Sequence, residues 1–270
     1  MNNPKISIIT VSYNAISTIE RTILSIINQT YSNLEYIIID GGSTDGTADI
    51  IRKYANKITF WISEPDKGIY DAMNKGVSKS TGMYCNFMNA GDCFYDNNVI
   101  KKVFSKNRTE DVLHGITITD KGKVTKPIQP ENLSLFFFFR TSLGHQATFI
   151  KTDLLRKYPY DTKYNIVADA KFFVETLILN NYSYNTLSEN ICIYDTSGIS
   201  SNEANTKKEL ELIFQDLFPP LMVRDYKKMY ELYNPLIRLM YPLSRTTLFK
   251  KILFPILKNV SLLKLRIKHK

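Results

Sequence analysis

The first ninety positions alternate between two hydrophobic rhythms. Residues 6–11 (ISIITV) form a short β-branched run, which reads as a buried strand. Past Tyr13 and Asn14, apolar Ile16, Ile19, Ile23, Ile26 and Ile27 recur at helical spacing. Ser17 and Glu20, three positions apart, predict a capping box at that helix's start. Residues 34–39 (LEYIII) read as a second strand closed by Asp40-Gly41-Gly42-Ser43, followed by a helix through about 55. A third strand is expected at 58–62, a helix over about 70–79, and a fourth strand at 83–88. This alternation predicts parallel strands with covering helices, an α/β fold.

The second half is less regular. Residues 97–105 read as helix, 111–125 as two strands around Asp120-Lys121-Gly122, and 147–150 as a strand. Residues 152–157 and 168–180 read as helices and 183–194 as extended chain. The FFFF run at 136–139 fits a helix or a buried strand, which periodicity does not separate. Pro219-Pro220 closes the body. The expected organisation is a domain over 1–218, divided near 95, and a tail over 219–270 with helices broken at Pro235, Pro242 and Pro255.

Composition narrows the class. With 44% hydrophobic and 23% charged residues among 270, the chain is neither disordered, collagen-like nor a disulfide scaffold. Cys85, Cys93 and Cys192 are odd in number and lack CxxC spacing, which points to reduced thiols and a cytosolic setting. The opening MNNPKISIIT lacks a signal-peptide pattern, and no apolar run reaches the roughly 18 residues of a membrane span.

Charge is unevenly distributed. Of the net +9, residues 221–270 carry +10, with 12 basic and 2 acidic side chains, leaving −1 for the first 220. In the tail, Leu248, Ile252, Ile256, Val260, Leu263 and Ile267 keep helical spacing beside Lys250, Lys251, Lys258, Lys264, Arg266, Lys268 and Lys270. Such a basic amphipathic helix suits an anionic membrane surface, at about 1 kcal/mol per basic residue. The same pattern also fits a helix packing its apolar face on the body. No nucleic-acid motif accompanies the charge.

In a parallel sheet, ligands bind at the carboxyl ends of the strands, and four such ends here are polar. They are Thr10 with Tyr13 and Asn14, Asp40 to Gly46, Glu64 to Gly68, and Asn89-Ala90-Gly91-Asp92. Together they outline a nucleotide cleft. Asp40 suits either hydrogen bonding to a base or ribose, or a turn, which Asp-Gly-Gly-Ser invites. Asp92 suits a Mg²⁺ or Mn²⁺ ion that keeps substrate phosphates in its shell, or again a turn. Lys67 and Lys75 suit a phosphate or an ordinary solvated surface. Neither GxxxxGK[ST] nor GxGxxG is present, which removes the main support for ATPase and dinucleotide readings.

These segments resemble family 2 glycosyltransferases of the GT-A fold. KISIITVSYN, QTYSNLEYIIIDGGSTDGT, SEPDKGIYDAMNKGVSKSTGMY and MNAGDCF follow the family's first half in order. GHQATF (144–149) and VADAKFF (167–173) match the second half of bacterial members that build surface polysaccharides. The resemblance spans roughly residues 4–200 and implies a Rossmann-like, mostly parallel sheet. It implies that Thr10, Tyr13, Asn14 and Asp40 hold the nucleotide, and that Asp71 and Asn74 line its pocket. Asn89 to Asp92 takes the DxD position, with Asn89 and Gly91 at the donor and Asp92 at the metal, Mg²⁺ or Mn²⁺. Asn89 and Gly91 stand where carboxylates are common, a departure from the full motif.

The resemblance further makes Asp169 the catalytic base and puts His145 near the acceptor and diphosphate. One carboxylate is enough, because a nucleoside diphosphate leaves without the second acid that glycosidases need. The implied activity is inverting transfer from a nucleotide-diphosphate sugar to a glycan or polyprenyl-linked acceptor, at the cytoplasmic face of the membrane. Two other readings stay open. A sugar nucleotidyltransferase would carry a Gly-rich basic loop after the first strand, where this chain has none. A non-catalytic glycan-binding scaffold would account for the missing DxD carboxylates.

Overall fold

The computed structural model of the protein describes residues 3–197 and 203–244. The chain divides into two compact units, Met1–Ile213 and Phe214–Lys270.

The first unit is built on a nine-stranded mixed sheet in the order β3-β2-β1-β4-β8-β6-β9-β5, with a short β7 paired to β6. Strand β1 (Ile6–Ser12) is buried at every position and pairs in parallel with β2 (Leu34–Asp40) and β4 (Tyr84–Phe87). Burial on both faces suits its Ile and Val positions, and the polar Ser7, Thr10 and Ser12 are buried with them. Strand β3 (Phe60–Ser63) adds in parallel outside β2. Helix α1 (Ile19–Ile27) turns Ile19, Ile23 and Ile26 into the core, α2 (Thr47–Lys53) contributes Ile51, and α3 (Ile69–Lys79) buries Tyr70, Met73 and Val77. The winding runs outward from β1 through β2 to β3. It then crosses back through α3 to β4 on the other side of β1, and such a reversal leaves a crevice at the strands' carboxyl ends.

Later strands enter in both directions. Short β5 (Cys93–Phe94) precedes α4 (Val99–Val103) and closes the far edge antiparallel to β9 (Tyr184–Tyr194). Strand β6 (Val112–Thr119) runs parallel to β9 and antiparallel to β8 (Thr148–Lys151), and β7 is Val124–Thr125. The four-phenylalanine run resolves as helix α5 (Leu135–Arg140), capped by the Ser134 hydroxyl. Helices α6 (Thr152–Lys157) and α7 (Ala168–Phe173) follow, and α7 continues into a π-helical stretch, Val174–Leu179. Helix α8 (Glu203–Leu217) crosses the boundary between the units.

Two local expectations change. The capping box at Ser17 and Glu20 does not form: Thr18 is the N-cap without a side-chain bond, and Glu20 accepts from the Tyr54 hydroxyl at 2.8 Å instead. In the second unit, α9 (Pro220–Ser244) is one 25-residue helix that runs through Pro235 and Pro242. A proline removes one backbone donor and need not end a long helix. Pro255 and the basic amphipathic pattern over 248–270 lie outside the described residues. Among those described, no helix is long and apolar enough to cross a membrane.

Candidate active site

The crevice predicted by the winding is a cleft of about 880 Å³. Its walls come from the loops after β1 and β2, the start of α3, the turn after β4, the His145 turn, residues 165–166 and the chain after β9.

Tyr13 stands at the mouth with its ring 68% exposed. Beside it Asn14 takes a left-handed conformation, φ 47°, and stitches two loops together: its N–H donates to the Ser43 hydroxyl (2.8 Å) and its Oδ1 accepts from Thr44 (3.0 Å). Behind this wall Asp40 is fully buried and accepts from Ser12, Ser63, and the Ser43 hydroxyl and amide at 2.6–2.9 Å. Burial pulls its pKa upward, but these four donors outweigh that and hold it below the usual range. Asp40 therefore ties the ends of β1, β2 and β3 together.

Other candidates also lie behind the surface. Thr10 is fully buried, its hydroxyl donating to the Met88 carbonyl at 2.7 Å and meeting the Tyr36 hydroxyl at 3.0 Å. Asp71 accepts from the Lys67 amide (3.1 Å) and faces Lys75 (3.5 Å), which also pairs with Glu64 (3.1 Å). Asn74 brackets the backbone of Tyr160 with bonds of 2.8 and 3.0 Å. Of the residues singled out in the sequence, Tyr13, Asn14, Asn89, Asp92 and His145 line the cleft. Thr10, Asp40, Asp71, Asn74, Gly91 and Asp169 do not.

The turn after β4 is anchored by Thr22, whose hydroxyl accepts from Gly91 N–H (3.0 Å) and donates to the Asp92 carbonyl (2.7 Å). Arg21 donates to the Gly91 carbonyl. Gly91 has φ +105°, and a Cβ there would stand 2.8 Å from Oδ2 of Asp195. The backbone thus favours glycine, and the space of its missing side chain borders a carboxylate from the end of β9. Asp195 also donates its backbone N–H to Asp92 Oδ1 at 2.8 Å. Sequence reasoning passed over Asp195, although an Asp closing an extended apolar run is the pattern used for the other strand ends.

Asp92 is only 4% exposed, and burial raises its pKa to about 6, with Asp195 N–H, His145 and Gln146 offsetting part of the rise. Among the described residues no three His, Cys, Asp or Glu side chains converge. The donor set still fits a divalent cation, because Mg²⁺-type sites beside phosphates use one or two carboxylates and fill the remaining positions with phosphate and water. Asp92 and the adjacent Asp195 supply two, both on the cleft wall.

Opposite this turn, His145 bridges two groups. Its Nδ1 lies 2.9 Å from Asp169 Oδ2 and its Nε2 3.0 Å from Asn89 Nδ2. Asp169 sits in the first turn of α7, where the helix dipole favours a carboxylate. The loop entering α7 is held by Glu209 of α8, which accepts the amides of Asn165, Ile166 and Val167 at 2.7–2.8 Å.

A cleft at the switch point of an α/β sheet, with aromatic and carboxylate side chains in its wall, is where such folds bind ligands. The glycosyl transferase family 2 profile matches residues 7–163, and the chain belongs to that family: it is a glycosyltransferase. An uncharacterized glycosyltransferase of Mycobacterium tuberculosis is 30% identical over 222 residues, covering 79% of this chain and 82% of its own. Staphylococcus aureus TarS 1–349 in complex with UDP-GlcNAc superposes with TM-score 0.66 at 18% identity, over 92% of this chain and 76% of that one. The chain spans 43% of the longer TarS structure. The mannosyltransferase PcManGT of Pyrobaculum calidifontis, with GDP-Man and Mn²⁺, gives TM-score 0.62 at 18% identity, over 97% and 81%. At these identities the solved structures establish the shared α/β fold.

Proposed function

We propose that this glycosyltransferase moves a sugar from a nucleoside-diphosphate donor to a glycan or lipid-linked glycan, with inversion, in cell-surface polysaccharide synthesis. The observation carrying this reading is that the Asp92 carboxylate and the His145–Asp169 pair meet at one cleft, with His145 and Asp92 both on its wall. The bound UDP-GlcNAc of TarS and the GDP-Man and Mn²⁺ of PcManGT support a donor of this class in a like fold.

Each candidate residue then has a role. Tyr13 offers its exposed ring to the base, and Asn14 and Asn89 offer polar contacts to the nucleotide sugar. Thr10, Asp40, Asp71, Asn74 and Gly91 hold those contacts in place from behind. Asp92, with Asp195 beside it, would hold Mg²⁺ or Mn²⁺, which when bound neutralises charge on the departing diphosphate. The acceptor hydroxyl attacks the anomeric carbon from the face opposite the diphosphate in a single displacement. Its proton passes to the site centred on Asp169. Asp169→Asn is expected to abolish transfer while leaving donor binding intact. The basic tail (+10 over 221–270) attaches the enzyme to an anionic membrane surface at the cytoplasmic face, where lipid-linked acceptors reside.

A thermal-shift panel of UDP-, GDP- and dTDP-sugars, with and without Mn²⁺, tests the reading, because a ligand that binds the folded state raises the melting temperature. Sugars of one nucleotide should raise it, further with Mn²⁺, and Asp92→Ala should remove the Mn²⁺ increment. A panel that leaves the melting temperature unmoved overturns the proposal.

A further inference from the structure

We propose that the group taking the acceptor's proton is His145 Nε2, with Asp169 behind it as the positioning carboxylate of a His–Asp dyad. This deepens the transfer reading above and rests on it.

Asp169 does not line the cleft. Only 7% exposed, it has both oxygens engaged: Oδ2 by His145 Nδ1 at 2.9 Å, and Oδ1 by the Ala170 amide at 2.9 Å and the Tyr70 hydroxyl at 3.3 Å. His145 and Tyr70 both line the cleft, and the side chains of His145 and Asp169 are 12% and 10% exposed. The imidazole, by contrast, stands in the wall itself.

The fold holds that imidazole firmly. The buried Asn86 donates to the carbonyls of Gln146 (2.9 Å) and Thr148 (3.0 Å), fixing the His145 turn to β4. Thr148 closes the turn through the Gly144 carbonyl at 2.7 Å, and the Phe87 ring meets the imidazole edge-on at 6.5 Å between centroids. An ionised carboxylate can only accept, so the ring proton sits on Nδ1 and Nε2 keeps its lone pair. That lone pair faces the amide of Asn89, another residue of the cleft wall. Nε2 is thus engaged by Asn89 at 3.0 Å, and this amide, whose own Oδ1 is buried without a partner, must give way for a hydroxyl to reach the lone pair.

The carboxylates facing the imidazole are Asp169 and Asp92. The neighbouring Tyr70 and Tyr160 phenols are kept neutral by burial. The step balances. The acceptor O–H bond breaks and its proton bonds to Nε2, while the freed oxygen pair forms the new bond to the anomeric carbon. The bond from that carbon to the diphosphate breaks, and its electron pair leaves on the nucleoside diphosphate. The imidazolium, paired with Asp169, then returns its proton to water.

The chain has only three histidines, His114, His145 and His269, so nitrogen NMR of the labelled full-length protein resolves them, with His145→Gln assigning the signal. The expected result is His145 as the Nδ1–H tautomer at neutral pH. In Asp169→Asn that tautomer preference should weaken, because a neutral amide holds the Nδ1 proton less firmly than a carboxylate does. An Nε2–H tautomer overturns the proposal, because it leaves no lone pair for the incoming proton. Turnover is read as nucleoside-diphosphate release from UDP-, GDP- and dTDP-hexoses. His145→Gln should lose about 100-fold, the range of a general base, with its donor-induced thermal shift preserved. Its pH–rate profile should differ from wild type on the acid side, where the buried Asp92 still titrates. If His145→Gln keeps wild-type turnover and profile while Asp169→Asn is inactive, the carboxylate acts directly and only the dyad fails. If Asp169→Asn is also fully active, the transfer reading falls with it.

Discussion

Glu35 offers a stability test that leaves the cleft untouched. At the start of β2 it is 2% exposed and pairs with Lys5 at 2.7 Å. It accepts from the Ser7 hydroxyl and the Thr81 amide, from the Thr81 hydroxyl at 2.7 Å, and from Gly82 N–H at 2.9 Å. Burial pushes its acid upward, but these donors, Lys5 foremost, outweigh it and hold the pKa at about 2 against an ordinary 4.5. A difference of that size corresponds to about 3 kcal/mol of stability. Lys5 is 40% exposed, so solvent screening makes this an upper figure. Because the folded-state pKa is depressed, the contribution is complete above about 4.5 and is lost as pH falls through about 2. Glu35→Gln removes the charge and sets an amide N–H₂ among donors. At pH 7 it should cost about 2–3 kcal/mol, or roughly 4–12 °C in melting temperature. Urea midpoints of both proteins at pH 7, 5, 4 and 3 provide the assay, with the gap closing below 4.5. An absent gap at pH 7, or one of constant size down to pH 3, refutes the reasoning. The nucleotide-induced thermal shift should survive, since Glu35 lies at the amino end of the sheet and the cleft at the carboxyl end.

Gly91→Ala forces a Cβ into a left-handed backbone and to within 2.8 Å of Asp195 Oδ2. It should cost about 1–3 kcal/mol in urea unfolding and reduce the Mn²⁺ increment in donor binding, because the Asp195 carboxylate must swing away from the turn. Retention of both stability and increment would mean the Gly91–Asp195 contact carries no weight. Tyr13→Ala should leave stability within about 0.5 kcal/mol, given its exposure, yet weaken binding of the nucleotide selected by the thermal-shift panel about tenfold by calorimetry through lost base stacking. An unchanged Kd removes Tyr13 from the base site.

The first half of the fold was legible because each element there keeps one hydrophobic period throughout. Residues 6–11 are apolar at nearly every position because β1 is sandwiched between β2 and β4 and covered on both faces. Ile19, Ile23 and Ile26 recur at helical spacing because α1 buries one stripe. The FFFF run carried no period, and only the Ser134 cap and the surrounding core decide for helix. The capping box failed for a tertiary reason: Glu20 finds Tyr54, 34 residues away, before its own backbone. Proline likewise marked a break in α9 that the helix on either side overrides.

The site divides along a different line, depth. A motif gives position along the chain, and the strand-end rule brought Tyr13, Asn14, Asn89 and Asp92 to one cleft. It does not say which side chains of a motif reach the surface. Asp40, between polar neighbours at a strand end, spends its oxygens on three serines, two of them from β1 and β3, which sequence spacing cannot reveal. Pairings across elements are harder still. His145 and Asp169 stand 24 residues apart and meet because the turn before β8 and the first turn of α7 face each other. Asp195 reaches Asp92 across 103 residues. The turn 89–92 keeps glycine where family members often have a carboxylate, yet a carboxylate borders that position, delivered by the end of β9. The local sequence therefore understates the negative charge at the turn. The bare backbone of Gly91 is what lets Asp195 come so close, so the missing side chain and the distant aspartate are two halves of one arrangement.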